Sequence, residues 1–182
     1  MGSIFLDMAM SLDGFICGPN GEDAGLHDWY FATPGAAVEV VDELLHTIGA
    51  IVMGKQAFGD APDGFDTPYK VPHFIVTHAS LPTISRDGAT FTFVTEGIEG
   101  ALVQAQAAAG GKDVCVAGGA TIAQQCINAG LLDELQIHLV PILVGGGKRL
   151  FDGLSDTPIK LERTRVIESR YATHLRFRVV TS

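Results

Sequence analysis

Cysteine is scarce in this chain. Cys17, Cys115 and Cys126 are the only three among 182 residues, and no two stand at C-x-x-C spacing. An odd, scattered set excludes a disulfide framework and argues against a thiolate metal site. The six histidines show no H-x₃-H spacing, so an imidazole-bound metal is not expected either. Positive charge is also short: 12 Lys and Arg stand against 21 Asp and Glu, a formal net charge of −9. Nucleic-acid and anionic-membrane surfaces depend on clustered cations, so both are set aside. No window reaches the ~18 uninterrupted apolar residues of a membrane-spanning helix. The first residues lack a charged segment followed by a long apolar one. "MGSIFL" carries Leu6 where a myristoylation signal wants Ser or Thr. The expectation is a cytoplasmic protein.

What is present is apolar residue, 47 % of the chain, and 22 glycines. That is enough to fill one core, and no linker or repeat divides the chain, so residues 1–182 read as a single domain. β-like and helix-like segments alternate. Residues 4–12 read as a buried strand, followed by the turn-rich loop "DGFICGPNGEDAG". "AAVEVVDELLHTI" places Val38, Val41, Leu44, Leu45 and Ile48 on one helical face. "AIVMG", "HFIVTH" and "TFTFVT" are short strands. An alanine-rich helix between Gly97 and Gly110 turns Ile98, Leu102 and Ala105 inward. "LQIHLVPILVG" (135–145) reads as one long strand whose Pro141 suggests an edge position or a bulge. Residues 159–180 read as a terminal antiparallel hairpin. The class is α/β, a mixed and mostly parallel sheet with helices on both faces.

The segment "VAGGATIAQQ" (116–125) runs from a strand through two glycines into a helix. A glycine pair lets another group approach the backbone, and a helix start favours an anion. The plainer reading is a tight turn. Gly54 after "AIVM", Thr77 and His78 after "HFIV", and Gly118–Gly119 all fall at carboxyl ends of strands. Ligands of open α/β sheets bind at such ends, so the three corners point to one anion site.

The ordered motifs "MAMSLDGFI", "VMGKQAF", "FIVTH", "VAGGATIAQQ" and "DELQIHLVPILVGGGKRLF" resemble the dihydrofolate reductase-like superfamily. Within it they are most similar to the group of the riboflavin-biosynthesis reductase (RibD C-terminal) domain, over essentially the whole chain. The resemblance implies a three-layer α/β/α reductase that uses NADPH. It places Gly54, Lys55, Gln56 and Ala57 at a phosphate corner, Thr77 and His78 near the adenosine side, and Ala117, Gly118, Gly119, Ala120, Thr121 and Ile122 at the diphosphate. Lys55 stands where the family has Arg, and Ala57 where it has a hydroxyl residue. Lys55 and His78 would meet a 2′-phosphate. A rival for Lys55 is a solvated surface lysine.

On the substrate side the resemblance assigns Asp13 of "SLDG" and Asp28 of "LHDWYF" as candidate catalytic carboxylates, with Ala9, Trp29 and Phe31 against the substrate. A carboxylic acid in an apolar pocket beside Trp29 and Phe31 would have a raised pKa suited to protonating a ring. The plainer readings are a turn-forming Asp13 and a helix-capping Asp28. Asp7 stands where the riboflavin enzymes carry Lys, and Ala117 where they carry Glu, both departures from a phosphorylated-substrate site. "GGGKRLF" lacks the remainder of a P-loop and reads as a strand-end bulge or tight connection. His138 reads as a core or interface histidine. The implied activity is hydride transfer from NADPH to a small conjugated C=N or C=O substrate, pterin- or pyrimidine-like. The alternative is a non-catalytic nucleotide- or folate-binding protein. Assembly as a homodimer is expected through the 135–144 strand and terminal hairpin, with Leu139, Ile142 and Phe177 near the interface.

Overall fold

The computed structural model describes residues 1–32 and 36–180. A nine-stranded sheet runs through the centre. Its strands are β1 (Ile4–Ser11), β3 (Ile48–Gly54), β4 (Pro72–Val76), β5 (Ile84–Arg86), β6 (Ala89–Val94), β7 (Asp113–Val116), β8 (Glu134–Val140), β10 (Leu161–Glu168) and β11 (Thr173–Val179). They lie in the order β10-β11-β8-β1-β7-β3-β4-β6-β5. The middle pairings from β8 to β6 are parallel, and both ends are antiparallel. Every residue of β3 is buried, as a central parallel strand covered on both faces requires.

The helices divide between the faces. α4 (Gly97–Ala108) and α5 (Ala120–Asn128) cover one, packing Ala101, Leu102, Ile122 and Cys126 on Leu6, Val52 and Val116. α2 (Ala36–Thr47) and the single turn α3 (Lys55–Phe58) cover the other, with Val40, Leu44 and Phe58 against Phe5, Ile51 and Ile75. β1 divides by alternation: Ile4, Leu6 and Met8 go to the α4–α5 side, Phe5 and Ala9 to the opposite side. A second, two-stranded sheet joins β2 (Phe15–Cys17) to β9 (Lys148–Arg149).

Three expectations change here. α2 buries Ala37, Val40 and Leu44, whereas Val38 and Leu45 are both 37 % exposed, so its inner face is turned one position from the predicted set. The strand expected over 135–145 ends at Val140. Proline 141 stops it rather than marking an edge, because β8 lies between β1 and β11 and both neighbours need its N–H and C=O groups. The sheet edges are β10 and β5 instead. "GGGKRLF" contains a short strand of its own: Lys148 and Arg149 form β9, which pairs with β2 across a register shift.

Candidate active site

Strands β3 and β7 are neighbours, and each ends in a glycine corner. The Gly54 N–H donates to Gly118 O at 2.9 Å, which ties the corners together. A Cβ on Gly54 would stand 2.9 Å from Ile122 Cγ1, so only glycine lets α5 come this close. Gly118 has φ of 125°, and its peptide to Gly119 is cis. Gly119 then begins α5 with no side-chain cap, and a Cβ built on it meets nothing within 4 Å. Open space therefore lies before the uncapped N–H groups of Ala120, Thr121 and Ile122, a cradle suited to an anion.

Gln56, in the first turn after Gly54, accepts a 2.6 Å hydrogen bond from Lys148 Nζ. This brings a cation to the Gly54 corner from β9. The Gly-Lys pair was the available signal, but only the β2–β9 pairing carries Lys148 there. Lys55 turns away from the expected role. Its ammonium bonds Gly59 O and pairs with Asp60 at 3.3 Å, because a one-turn helix presents its last carbonyls within the lysine's own reach. Gly54 is in register with Val76, so Thr77 follows beside the start of α3, while His78 is exposed. A cleft of about 330 Å³ lies against Lys55, Phe58, Asp60, Leu81 and Phe93. Ala57 touches the corner from the side, since a Cβ on Gly118 would lie 3.5 Å from its own.

The two carboxylates expected to act as acids sit differently. Asp13 Oδ1 accepts from Ser11 Oγ at 2.5 Å and from Val144 N at 3.1 Å, and its Oδ2 accepts from Gly145 N at 2.8 Å. The Ser11 hydroxyl foremost, with those backbone N–H groups, lowers its pKa to about 2. Asp13 is thus an ionised brace between the β1–β2 turn and the 144–145 backbone, not a proton donor at neutral pH. Asp28 opens the four-residue helix α1 (Asp28–Phe31) and is exposed, and Phe31 is 78 % exposed. Burial of Trp29 turns its neighbours outward by the helical step, so the described residues form no apolar pocket around Asp28.

Trp29 itself is buried beside Ala9 in a cluster with Leu26 and Val140. Its ring lies 4.1 Å from that of His138 and 4.9 Å from that of His174, centroid to centroid. Its indole Nε1 is a buried donor with no partner among the described residues. Behind the indole, Asp7 Oδ1 accepts from Gln136 Nε2 at 3.0 Å and meets His138 Nε2 at 2.9 Å. Sequence reasoning treated Asp7 and His138 separately; the in-register pairing of β1 with β8, Asp7 to Gln136, brings them together. Tyr69 lies nearby, its hydroxyl 3.4 Å from that of Tyr30. Burial foremost, then Tyr30 and the Asp7 charge, push the Tyr69 hydroxyl far up, so it remains a neutral phenol.

The RibD C-terminal domain family model matches residues 3–173. The uncharacterized protein YyaP of Bacillus subtilis (strain 168) is 29 % identical over 176 residues, 91 % of this chain and 89 % of that protein. Among solved structures, the diaminohydroxyphosphoribosylaminopyrimidine deaminase/5-amino-6-(5-phosphoribosylamino)uracil reductase of Thermotoga maritima superposes with a TM-score of 0.72 at 15 % identity, over 98 % of this chain and 57 % of that one. Dihydrofolate reductase from Enterococcus faecalis, solved with NADP(H), superposes with a TM-score of 0.59 at 15 % identity, over 98 % and 96 % of the two chains.

Proposed function

Because the chain belongs to the RibD C-terminal domain family, we propose that it is an NADPH-dependent reductase of a small conjugated C=N or C=O compound, pterin- or pyrimidine-like. The observation that carries this reading is the open, uncapped start of α5 before Gly119, with Lys148 at the adjoining corner. Gly118, Gly119 and the first-turn N–H groups of α5 would hold the diphosphate, assisted by Gln56 and Lys148. Thr77, His78 and the cleft at Lys55 would take the adenosine side. When bound, the cofactor supplies the hydride; the protein supplies orientation and electrostatics. Ala9 and Trp29 would bound the substrate, with Trp29 Nε1 as a donor to it. Asp7 in place of Lys and Ala117 in place of Glu speak for a substrate without the riboflavin intermediate's phosphate. A homodimer belongs to the same reading.

A second reading, a nucleotide- or folate-binding protein without turnover, draws on the braced Asp13 and exposed Asp28, neither of which suits a proton donor. NADPH consumption with a panel of pterins, flavin precursors and quinones separates the two. Oxidation coupled to one class supports the reductase. NADPH binding with no acceptor reduced favours the second reading.

A further inference from the structure

Asp7, His138, His174 and Ser169 form one hydrogen-bonded line across the adjacent strands β1, β8 and β11 to the β10–β11 turn. His138 Nε2 lies 2.9 Å from Asp7 Oδ1, His138 Nδ1 lies 2.8 Å from His174 Nδ1, and His174 Nε2 lies 3.2 Å from Ser169 Oγ. His138 is 1 % exposed and His174 is 4 % exposed, so the middle of the line is closed to water. Its ends are not. Asp7 keeps 18 % of its side chain exposed, and its Oδ2 has no hydrogen bond among the described residues. Ser169 is half-buried in the β10–β11 turn, where its hydroxyl also meets Ala172 O at 2.9 Å.

With both imidazoles neutral, the line has two consistent arrangements of hydrogens. In one, Ser169 Oγ–H donates to His174 Nε2, His174 Nδ1–H to His138 Nδ1, and His138 Nε2–H to an unprotonated Asp7. In the other every hydrogen has moved one step: Asp7 is protonated on Oδ1, His138 Nδ1–H faces His174 Nδ1, His174 Nε2–H faces Ser169, and Ser169 donates to Ala172 O. The arrangements differ by one proton at Asp7. Burial foremost, then His138, holds the His174 pKa down to about 4, which keeps its imidazole neutral at physiological pH. The flanking groups are Gln136 on β8, Cys115 on β7, Tyr69, and Arg165 and Arg176 on β10 and β11.

The position of Asp7 says what such a line could serve. Asp7 shares a face of β1 with Phe5 and Ala9, opposite Met8, and its partner His138 stacks 4.1 Å from Trp29, which clusters with Ala9. One end of the line therefore lies beside Ala9 and Trp29, the residues that would bound the substrate. We infer that Asp7, His138, His174 and Ser169 are a proton relay that carries solvent protons from the β10–β11 turn to the substrate site. This rests on the reductase reading, because reduction of C=N or C=O needs one proton besides the hydride. The transfer starts with the imidazole hydrogens in the first arrangement and Asp7 protonated on Oδ2, the oxygen without a partner among the described residues. The Oδ2–H bond breaks as the substrate heteroatom–H bond forms, and Oδ1 is the oxygen that is reprotonated from His138. The carboxylate left behind takes the His138 Nε2 proton, His138 Nδ1 takes that of His174, His174 Nε2 takes that of Ser169, and water at the turn restores Ser169. Asp7 is the proton donor, and the other three act through it.

Solvent exchange of the imidazole hydrogens, followed by NMR on the full chain with ¹⁵N-labelled histidine, tests this without substrate or cofactor. A relay open at Ser169 predicts exchange of the His138 and His174 N–H slowed about tenfold or more in Ser169→Ala, restored in Ser169→Thr, with β8 and β11 amides unchanged. Exchange indifferent to the hydroxyl, or tracking the β8 and β11 amides in every variant, means escape by opening of the hairpin and overturns the relay. NADPH titration of the same samples keeps the two readings apart. Failure of the wild-type chain to bind NADPH removes the reductase and leaves the exchange result standing. Binding together with Ser169-independent exchange removes the relay alone.

Discussion

At the scale of single residues, His174 makes acid stability a sharp test. Its pKa is lowered from 6.5 to about 4 by burial, with His138 adding in the same direction. Between those values the unfolded chain binds the proton and the folded one does not, so stability falls as pH drops through this window. The expected loss is about 2–3 kcal/mol. His73, lowered by burial among aromatic rings, acts in the same sense. Asp13 acts separately and lower, its stabilisation disappearing as pH falls from 3.8 toward about 2. Urea unfolding at a series of pH values should show the upper decline diminished in His174→Gln and the lower one retained. An unchanged upper decline would contradict the burial account. Thiols give a second residue-level check. Burial raises Cys115 well above its ordinary value and Cys126 to about 12, so alkylation at pH 8 should reach neither until the fold opens.

At the scale of elements, Arg176 on β11 joins three pieces of structure. It lies 3.0 Å from Glu43 on α2 and 2.5 Å from Glu134 on β8. Arg176→Ala should cost about 1–3 kcal/mol, since Glu43 keeps Arg165 while Glu134 loses its cation; thermal unfolding measures it. Elements of this kind were legible in the sequence where periodicity was strong. α4 buries Leu102 and Ala105 as its spacing implied, with Ile98 half-buried. The short pieces were not. β9 has two residues and β5 three, too few for a periodic signal, and each exists only because a partner strand lies beside it. α2 was legible as a helix but not in its facing, because Val38, Val41 and Leu45 are as apolar as Val40 and Leu44. The glycine corners were readable from residue type. The company of Asp7, His138 and His174 was not, as it depends on which strands pair.

At the scale of the molecule, the nine-stranded order places both glycine corners at the middle of the sheet and leaves β10 as an outer edge. Near that edge an apolar groove of about 900 Å³ is lined by Leu132, Leu135, Leu154, Leu161 and Val179. Self-association would cover it, so light scattering at micromolar concentration should give twice 19.2 kDa. A mass of one chain would remove the dimer. The central claim is the dinucleotide cradle at the start of α5. Gly119 has φ of −88° and open space before it, so a side chain there enters the cradle rather than the core. The most direct measurement is therefore a fluorescence titration with NADPH of the wild-type chain and Gly119→Val, with thermal unfolding as a check that the variant folds. The account predicts saturable binding by the wild-type chain and its loss in a folded Gly119→Val. No binding by the wild-type chain, or equal affinity in the folded variant, would contradict it.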